Sequence, residues 1–350
     1  RTDRLLVIVG LYHKRCSQYI SKGKVIKLLQ TNSRKFVSMA ALSAIVILTG
    51  CNSSESENAG QTTGDDGKPS VVSSYSVICD MVEKIGADKI DSNCLIDYDQ
   101  DPHTYEAKPS DRKAIEDADA VFYAGLNFEP SIVEMSEATK TPAPKIALHE
   151  KATANVIEVE EDGEKEPDPH VWHDIKNAKE MAKLIGDTLA QIDPDNADAY
   201  KANAQTYNAK LDQLDAWIKD QIALIPADKR KLITTHDAMS YYARAYGLTV
   251  EGTLLGINTE EQPSATKVKE LSEQIKSKGV PTVFAELTAN DKVLKVVAKE
   301  AGVEVTPEPL IADGIGAKGT PEGSYTGMIE HNTCIIVEGL SDKECKPFEK

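Results

Sequence analysis

A chain of 350 residues is long enough for two domains of ordinary size, each with its own core. An apolar fraction of 41% and a charged fraction of 27% describe a soluble globular body, while aromatics at 5% are too sparse for the stacking platforms that sugars and bases need. The formal charge of −16 is uneven: residues 1–50 hold nine Lys/Arg against the single acid Asp3, the remainder carries −24, and no nucleic acid is expected as partner of so acidic a body.

Arg34 and Lys35 precede an apolar run over 36–48 that ends in Leu48-Thr49-Gly50-Cys51. This reads as an export signal occupying 1–50, with the part before about residue 25 an over-extended start. The run falls short of the roughly 20 apolar residues that a permanent transmembrane helix requires. Thr49 and Gly50 before Cys51 resemble a bacterial lipobox, which implies lipidation of Cys51 and a membrane anchor. Residues 51–69, rich in Ser, Glu, Asn, Gly and Thr, then read as a flexible tether. Export leaves Cys79, Cys94, Cys334 and Cys345 in a compartment that permits disulfides. Four cysteines allow three pairings. Cys79–Cys94 and Cys334–Cys345 are favoured because each is local and closes a short loop. A zinc site made of all four is the alternative, weakened by the lack of Cys-x-x-Cys spacing.

From residue 70 short apolar runs alternate with amphipathic stretches, the pattern of parallel α/β units. Strands are expected at 71–76, 90–96, 120–124 and 145–148, with helices at 77–85, 109–117 and 175–191; these make an N-terminal lobe over 70–192. A second lobe over 227–345 has strands at 231–235, 249–254, 282–285 and 303–306, with helices at 238–246, 265–278, 292–301 and 325–338. Between the lobes, Asp193-Pro194 is an N-cap followed by proline at the first helical position. Tyr200, Tyr207, Leu211, Leu214, Ile218, Ile222 and Ile225 then recur at steps of three, four and seven until Pro226. A helix over 193–226, about 45 Å long, is expected as a stiff link between lobes, with packing inside one domain as the alternative.

Two histidines sit in the same tripeptide, Asp101-Pro102-His103 and Asp168-Pro169-His170. Proline fixes the backbone before each imidazole, and neither segment has the apolar periodicity of a core histidine. His236 follows the strand at 231–235, and α/β sheets place ligands at the carboxyl ends of strands. Asp313 holds the comparable place after the apolar stretch 309–312, with flexible Gly314 and Gly316 behind it. The four are 67, 66 and 77 residues apart, too far for one local motif but suited to four loops meeting in a cleft. Imidazole nitrogen and carboxylate oxygen are ligands for first-row divalent metals. His173, one turn beyond His170, is a competing candidate ligand. Glu286 is expected either as a fifth oxygen donor or as the acceptor of an imidazole N–H. His149 and His331 are expected to be structural or solvated.

At these residues the chain resembles a known family, the metal-binding (manganese, zinc, iron) substrate-binding lipoproteins of ATP-binding-cassette importers, cluster A-I (ZnuA/TroA-like), which includes the former "adhesin" lipoproteins. The resemblance is carried by residues 100–106 (Gln-Asp-Pro-His-Thr-Tyr-Glu), 168–172 (Asp-Pro-His-Val-Trp), 235–238 before Tyr241-Tyr242, Glu286 after Val283-Phe284, and Gly323-Ser324-Tyr325. It spans about 70–340. It implies an α/β fold of two parallel-sheet lobes joined by one long rigid helix, with His103, His170, His236 and Asp313 gripping the ion in the inter-lobe cleft. It also implies a membrane permease as partner, and with the anchor a place on the outer face of the cytoplasmic membrane. A monomer and no enzymatic activity are expected.

On the metal the resemblance is divided. Many manganese members have glutamate where His236 stands, which favours zinc, yet dedicated zinc members often carry a histidine-rich loop where residues 158–168 are acidic and read as a solvated loop. Manganese and zinc stay open, with iron behind. A zinc hydrolase would need a motif such as His-Glu-x-x-His, which is lacking. A binder of haem, siderophore or sugar would need an aromatic or arginine-lined pocket.

Overall fold

Val71 and Val72 favour extended backbone, and they lie in the strand that anchors the first sheet. The computed structural model describes residues 67–348 apart from 162 and 261. The expected export signal, the expected lipidation site Cys51 and the expected tether up to residue 66 lie outside the described residues. Strand β1 (Ser70–Tyr75) leads into helix α1 (Ser76–Gly86), followed by β2 (Asp91–Ile96), α2 (Pro109–Asp117), β3 (Ala120–Tyr123), α3 (Pro130–Ala138) and β4 (Lys145–Ala147). The strands pair in parallel in the order β2-β1-β3-β4. The inner strands β1 and β3 are buried almost throughout, whereas edge strand β2 is largely open to solvent, which is why the inner strands read as continuous apolar runs.

After α4 (Leu148–Ala152) the chain forms an antiparallel hairpin, β5 (Glu158–Glu161) with β6 (Glu164–Pro167). The acidic stretch is therefore an exposed ribbon rather than an irregular loop. Its turn uses Gly163 at φ 82°, a left-handed conformation that glycine adopts without Cβ strain. Helices α3 and α4 were not anticipated either; both are short and lack a long apolar stripe.

Helix α5 (Ile175–Ile192) starts where the Asp174 carboxylate accepts the Lys176 N–H at 3.0 Å. The helix expected over 193–226 is shorter. Pro194–Asn196 forms a 3-10 turn and α6 runs over Ala197–Ile222, about 39 Å at 1.5 Å per residue. Its buried face carries Tyr200, Leu211, Leu214, Ile218 and Ile222, as the periodicity demands. Gly186 of α5 permits a close approach there, since a Cβ would stand 2.7 Å from the Ala204 Cβ.

The second half repeats the α/β rhythm: β7 (Lys231–Thr234), α7 (Ser240–Tyr246), β8 (Thr249–Thr253), α8 (Ala265–Lys278), β9 (Thr282–Val283), α9 (Lys292–Ala301), β10 (Glu304–Val305) and α10 (Tyr325–Leu340). Strand β7 pairs in parallel with β8, and β9 with β10. A parallel bridge between Thr234 and Phe284 stitches the two pairs, and one between Glu286 and Leu310 prolongs the second. Helix α6 packs against α1 and α5 of the first half and α7 and α10 of the second, so it lies along both.

Both favoured disulfides are formed, with Cα atoms 5.7 Å apart for Cys79–Cys94 and 5.1 Å for Cys334–Cys345. The first staples α1 to edge strand β2. The second ties the C-terminal segment to α10, and the Lys346 carbonyl there accepts the Trp217 indole N–H of α6 at 3.0 Å.

Candidate metal centre

The two Asp-Pro-His turns fold alike for a local reason. In each, the aspartate Oδ1 accepts the backbone N–H two residues on, at 2.9 Å for Asp101 to His103 and 2.9 Å for Asp168 to His170; this is the Asx-turn that aspartate favours. The first follows β2 and the second follows β6. His236 stands just past the end of β7, and Asp313 lies on the loop after Leu310, beside the end of the β9 strand line. Three of the four positions thus sit beyond carboxyl ends of parallel strands.

These distant residues converge. His103, His170, His236 and Asp313 each offer one atom, all within 4.8 Å of one another. The His170 Nε2 is 3.3 Å from the Nε2 of His103 and 3.3 Å from that of His236. Asp313 Oδ1 lies 3.8, 3.3 and 3.3 Å from the Nε2 atoms of His103, His170 and His236. Donors about 2.0–2.2 Å from a central ion in a tetrahedron are about 3.3–3.6 Å apart. Four of these five distances therefore match the spacing of a tetrahedral ligand cage, and the His103–Asp313 distance of 3.8 Å is slightly longer.

Hydrogen bonds behind two of the imidazoles, those of His170 and His236, aim them. Asp168 Oδ1, which holds the His170 backbone, also accepts its Nδ1–H at 2.9 Å. Glu286 Oε1 accepts the Thr235 and His236 N–H groups at 3.1 and 3.2 Å, and its Oε2 accepts the His236 Nδ1–H. A proton held on Nδ1 leaves a lone pair on Nε2, which points at the common centre. Glu286 is thus the acceptor of an imidazole N–H, and all its bonds are directed away from the ion position.

Charge and burial reinforce this. The four residues are at most 3% exposed. Burial pushes the Asp313 carboxyl up, but His236 and the other two imidazoles outweigh it and hold it well below the usual carboxylate range. Burial pushes His236 down, yet Asp313 and Glu286 carry it well above an ordinary histidine, and Asp168 and Asp313 raise His170 in the same way. His103, with Asp313 as its one carboxylate, is pulled down by burial. The group favours a positive charge at its centre, and Asp313 Oδ1 makes no hydrogen bond there. Phe128 walls the site, its ring 4.9 Å from His103 and 5.7 Å from His170.

His173 does not join the group; its Nε2–H donates to the Ala312 carbonyl at 2.9 Å. His149 is buried against the Tyr75 hydroxyl at 3.0 Å, and His331 reaches the Pro309 carbonyl at 3.0 Å. Sequence reasoning missed the part played by Asp168, although its place two residues before a candidate ligand was a usable signal. It also missed Thr288, whose hydroxyl donates to Asp313 Oδ2 at 3.3 Å, and nothing local marks that residue.

The family model for zinc-uptake complex component A, periplasmic, matches residues 71–339. The manganese ABC transporter substrate-binding lipoprotein PsaA of Streptococcus pneumoniae is 32% identical over 305 residues, covering 86% of this chain and 96% of that protein. The manganese-binding lipoprotein MntA of Halalkalibacterium halodurans is 31% identical over 298 residues, covering 85% and 95%. Among solved structures, the periplasmic zinc binding protein TroA from Treponema pallidum superposes with a TM-score of 0.74 at 31% identity, over 79% of this chain and 100% of that one. By sequence and by fold, the chain belongs to the zinc-uptake complex component A family of periplasmic solute-binding transport proteins.

Proposed function

We propose that this protein captures a divalent transition metal ion, manganese or zinc, outside the cytoplasm and delivers it to the membrane permease of an ATP-binding-cassette importer, with His103, His170, His236 and Asp313 as the ligands. One observation carries the reading: four buried donors from remote parts of the chain bring one ligand atom each within 4.8 Å of one another. Relatives named as manganese-binding and zinc-binding lie on either side of the metal question. Three imidazoles suit zinc and a carboxylate serves both, with iron third.

Four protein donors, all buried, leave no open position for a substrate, which supports transport rather than catalysis. Burial also means that the ion cannot exchange without movement. Residues 70–192 and 227–345 act as lobes, with 193–226 as the link whose helix lies along both. The ion binds and the lobes close over it, and the closed form is what the permease recognises. Lipidation at Cys51 and a tether to residue 69 hold a monomer at the outer face of the cytoplasmic membrane, a reading supported by relatives named as lipoproteins.

The test is elemental analysis of the purified protein with competition titration of Mn2+ and Zn2+. One ion per chain is expected, and replacing any one ligand by alanine should weaken binding at least about tenfold. Unchanged affinity in two of the four variants refutes the ligand set.

A further inference from the structure

We propose that Thr288 and His173 set which cation this site prefers, by holding Asp313 so that it offers one oxygen rather than two. The inference rests on the cargo-site reading above. A carboxylate binds an ion through one oxygen or both, and the choice changes the coordination number by one.

The two oxygens of Asp313 are not equivalent. Oδ1 makes no hydrogen bond and faces the three Nε2 atoms, whereas Oδ2 accepts the Thr288 hydroxyl at 3.3 Å. Turning both oxygens to the ion rotates Oδ2 out of its place beside Thr288, so this hydrogen bond opposes the two-oxygen mode. The backbone just before Asp313 is tethered too. Ala312 O accepts the His173 Nε2–H at 2.9 Å, and Ile311 makes two bonds of 2.8 Å with the Asn332 amide. The His173 contact links opposite halves of the site, since His173 lies in the 3-10 turn directly after His170. Its imidazole is fully buried, and burial pushes its pKa down to about 3, so it stays a neutral donor. With residues 311 and 312 pinned, rotation of the Asp313 side chain is the freedom that remains, and Thr288 checks it.

Zinc is satisfied by four nitrogen and oxygen donors in a tetrahedron. Manganese favours more donors, richer in oxygen and nearer octahedral. A one-oxygen Asp313 therefore favours zinc, and freeing Oδ2 helps manganese more than zinc.

The full chain is titrated with Co2+ alone, then with Zn2+ against Mn2+ in competition. Four-coordinate cobalt absorbs strongly in the visible, and higher coordination numbers absorb weakly. Wild type should give strong bands. Thr288→Val should weaken them and shift the zinc-over-manganese affinity ratio towards manganese by about tenfold, the worth of one hydrogen bond to a charged oxygen, while Thr288→Ser keeps both. His173→Leu should shift the ratio the same way, and His173→Gln, which retains an N–H donor, should restore it. Weak cobalt bands in wild type, or a Thr288→Val protein unchanged in spectrum and ratio, would overturn the proposal and leave metal capture standing. Failure to bind any of the three metals would instead remove the reading beneath it.

Discussion

Replacing Glu286 by glutamine tests how far this site depends on imidazole tautomers. Glu286 makes three bonds: Oε1 accepts two backbone N–H groups and Oε2 accepts the His236 Nδ1–H. A glutamine has one oxygen. That oxygen is needed by the Thr235 and His236 N–H groups, so the amide NH2 must face Nδ1 and donate to it. The imidazole proton then moves to Nε2, where it points at the ion and blocks the lone pair. Loss of such a supporting partner costs about 10–100-fold in metal affinity, or roughly 1.4–2.7 kcal/mol. The assay is thermal denaturation with and without Zn2+ at a fixed free concentration. If that concentration is about 1,000 times the wild-type Kd, wild type gains about 4 kcal/mol and a variant weakened 100-fold gains about 1.4 kcal/mol. A Glu286→Gln protein whose zinc-induced stabilisation equals that of wild type, with nitrogen-15 NMR still placing the His236 proton on Nδ1, refutes the reasoning.

Two further outcomes concern residues outside the four-donor group. Burial pushes the Glu129 carboxyl up to about 8, so between the ordinary glutamate range and pH 8 the unfolded chain has lost a proton that the folded chain retains. Stability should therefore fall as pH rises through that window, by about 1.4 kcal/mol per pH unit for this group, and level off above it. Urea denaturation of metal-free protein from pH 5.5 to 8.5 should show a smaller loss for Glu129→Gln than for wild type, and parallel curves would contradict the assignment. Removing the Cys79–Cys94 bridge, which spans a sequence separation of 15, should cost about 3 kcal/mol by loop entropy. A Cys79→Ser/Cys94→Ser protein within 1 kcal/mol of wild type in the same assay would show that the unfolded chain is not the state the bridge constrains.

Much of the architecture was legible because it follows from local rules. Helices at Pro109–Asp117, Ala265–Lys278 and Lys292–Ala301 have the bounds their patterns predict. The long helix was recognised but overextended at both ends: Pro194–Asn196 forms a 3-10 turn, and the α-helix closes at Ile222, before Pro226. The β5–β6 hairpin escaped notice because its residues are mostly glutamates, which have little strand preference; the antiparallel ladder holds it instead, with Lys165 reaching across to Glu158 at 3.0 Å.

At the metal centre the sequence determined the donors. Repeated Asp-Pro-His turns, a histidine at a strand end and an aspartate before glycines are features of short segments, and each segment folds as its own residues dictate. Only the tertiary structure decided that the four donors meet, that Glu286 turns away from their centre to support His236, that Thr288 donates to Asp313 and that His173 donates to the carbonyl before it. Those relations join residues separated by 25 positions (Thr288 and Asp313) to 210 positions (His103 and Asp313), and contacts at such separations are set by how the sheets and helices pack together, which no local pattern encodes.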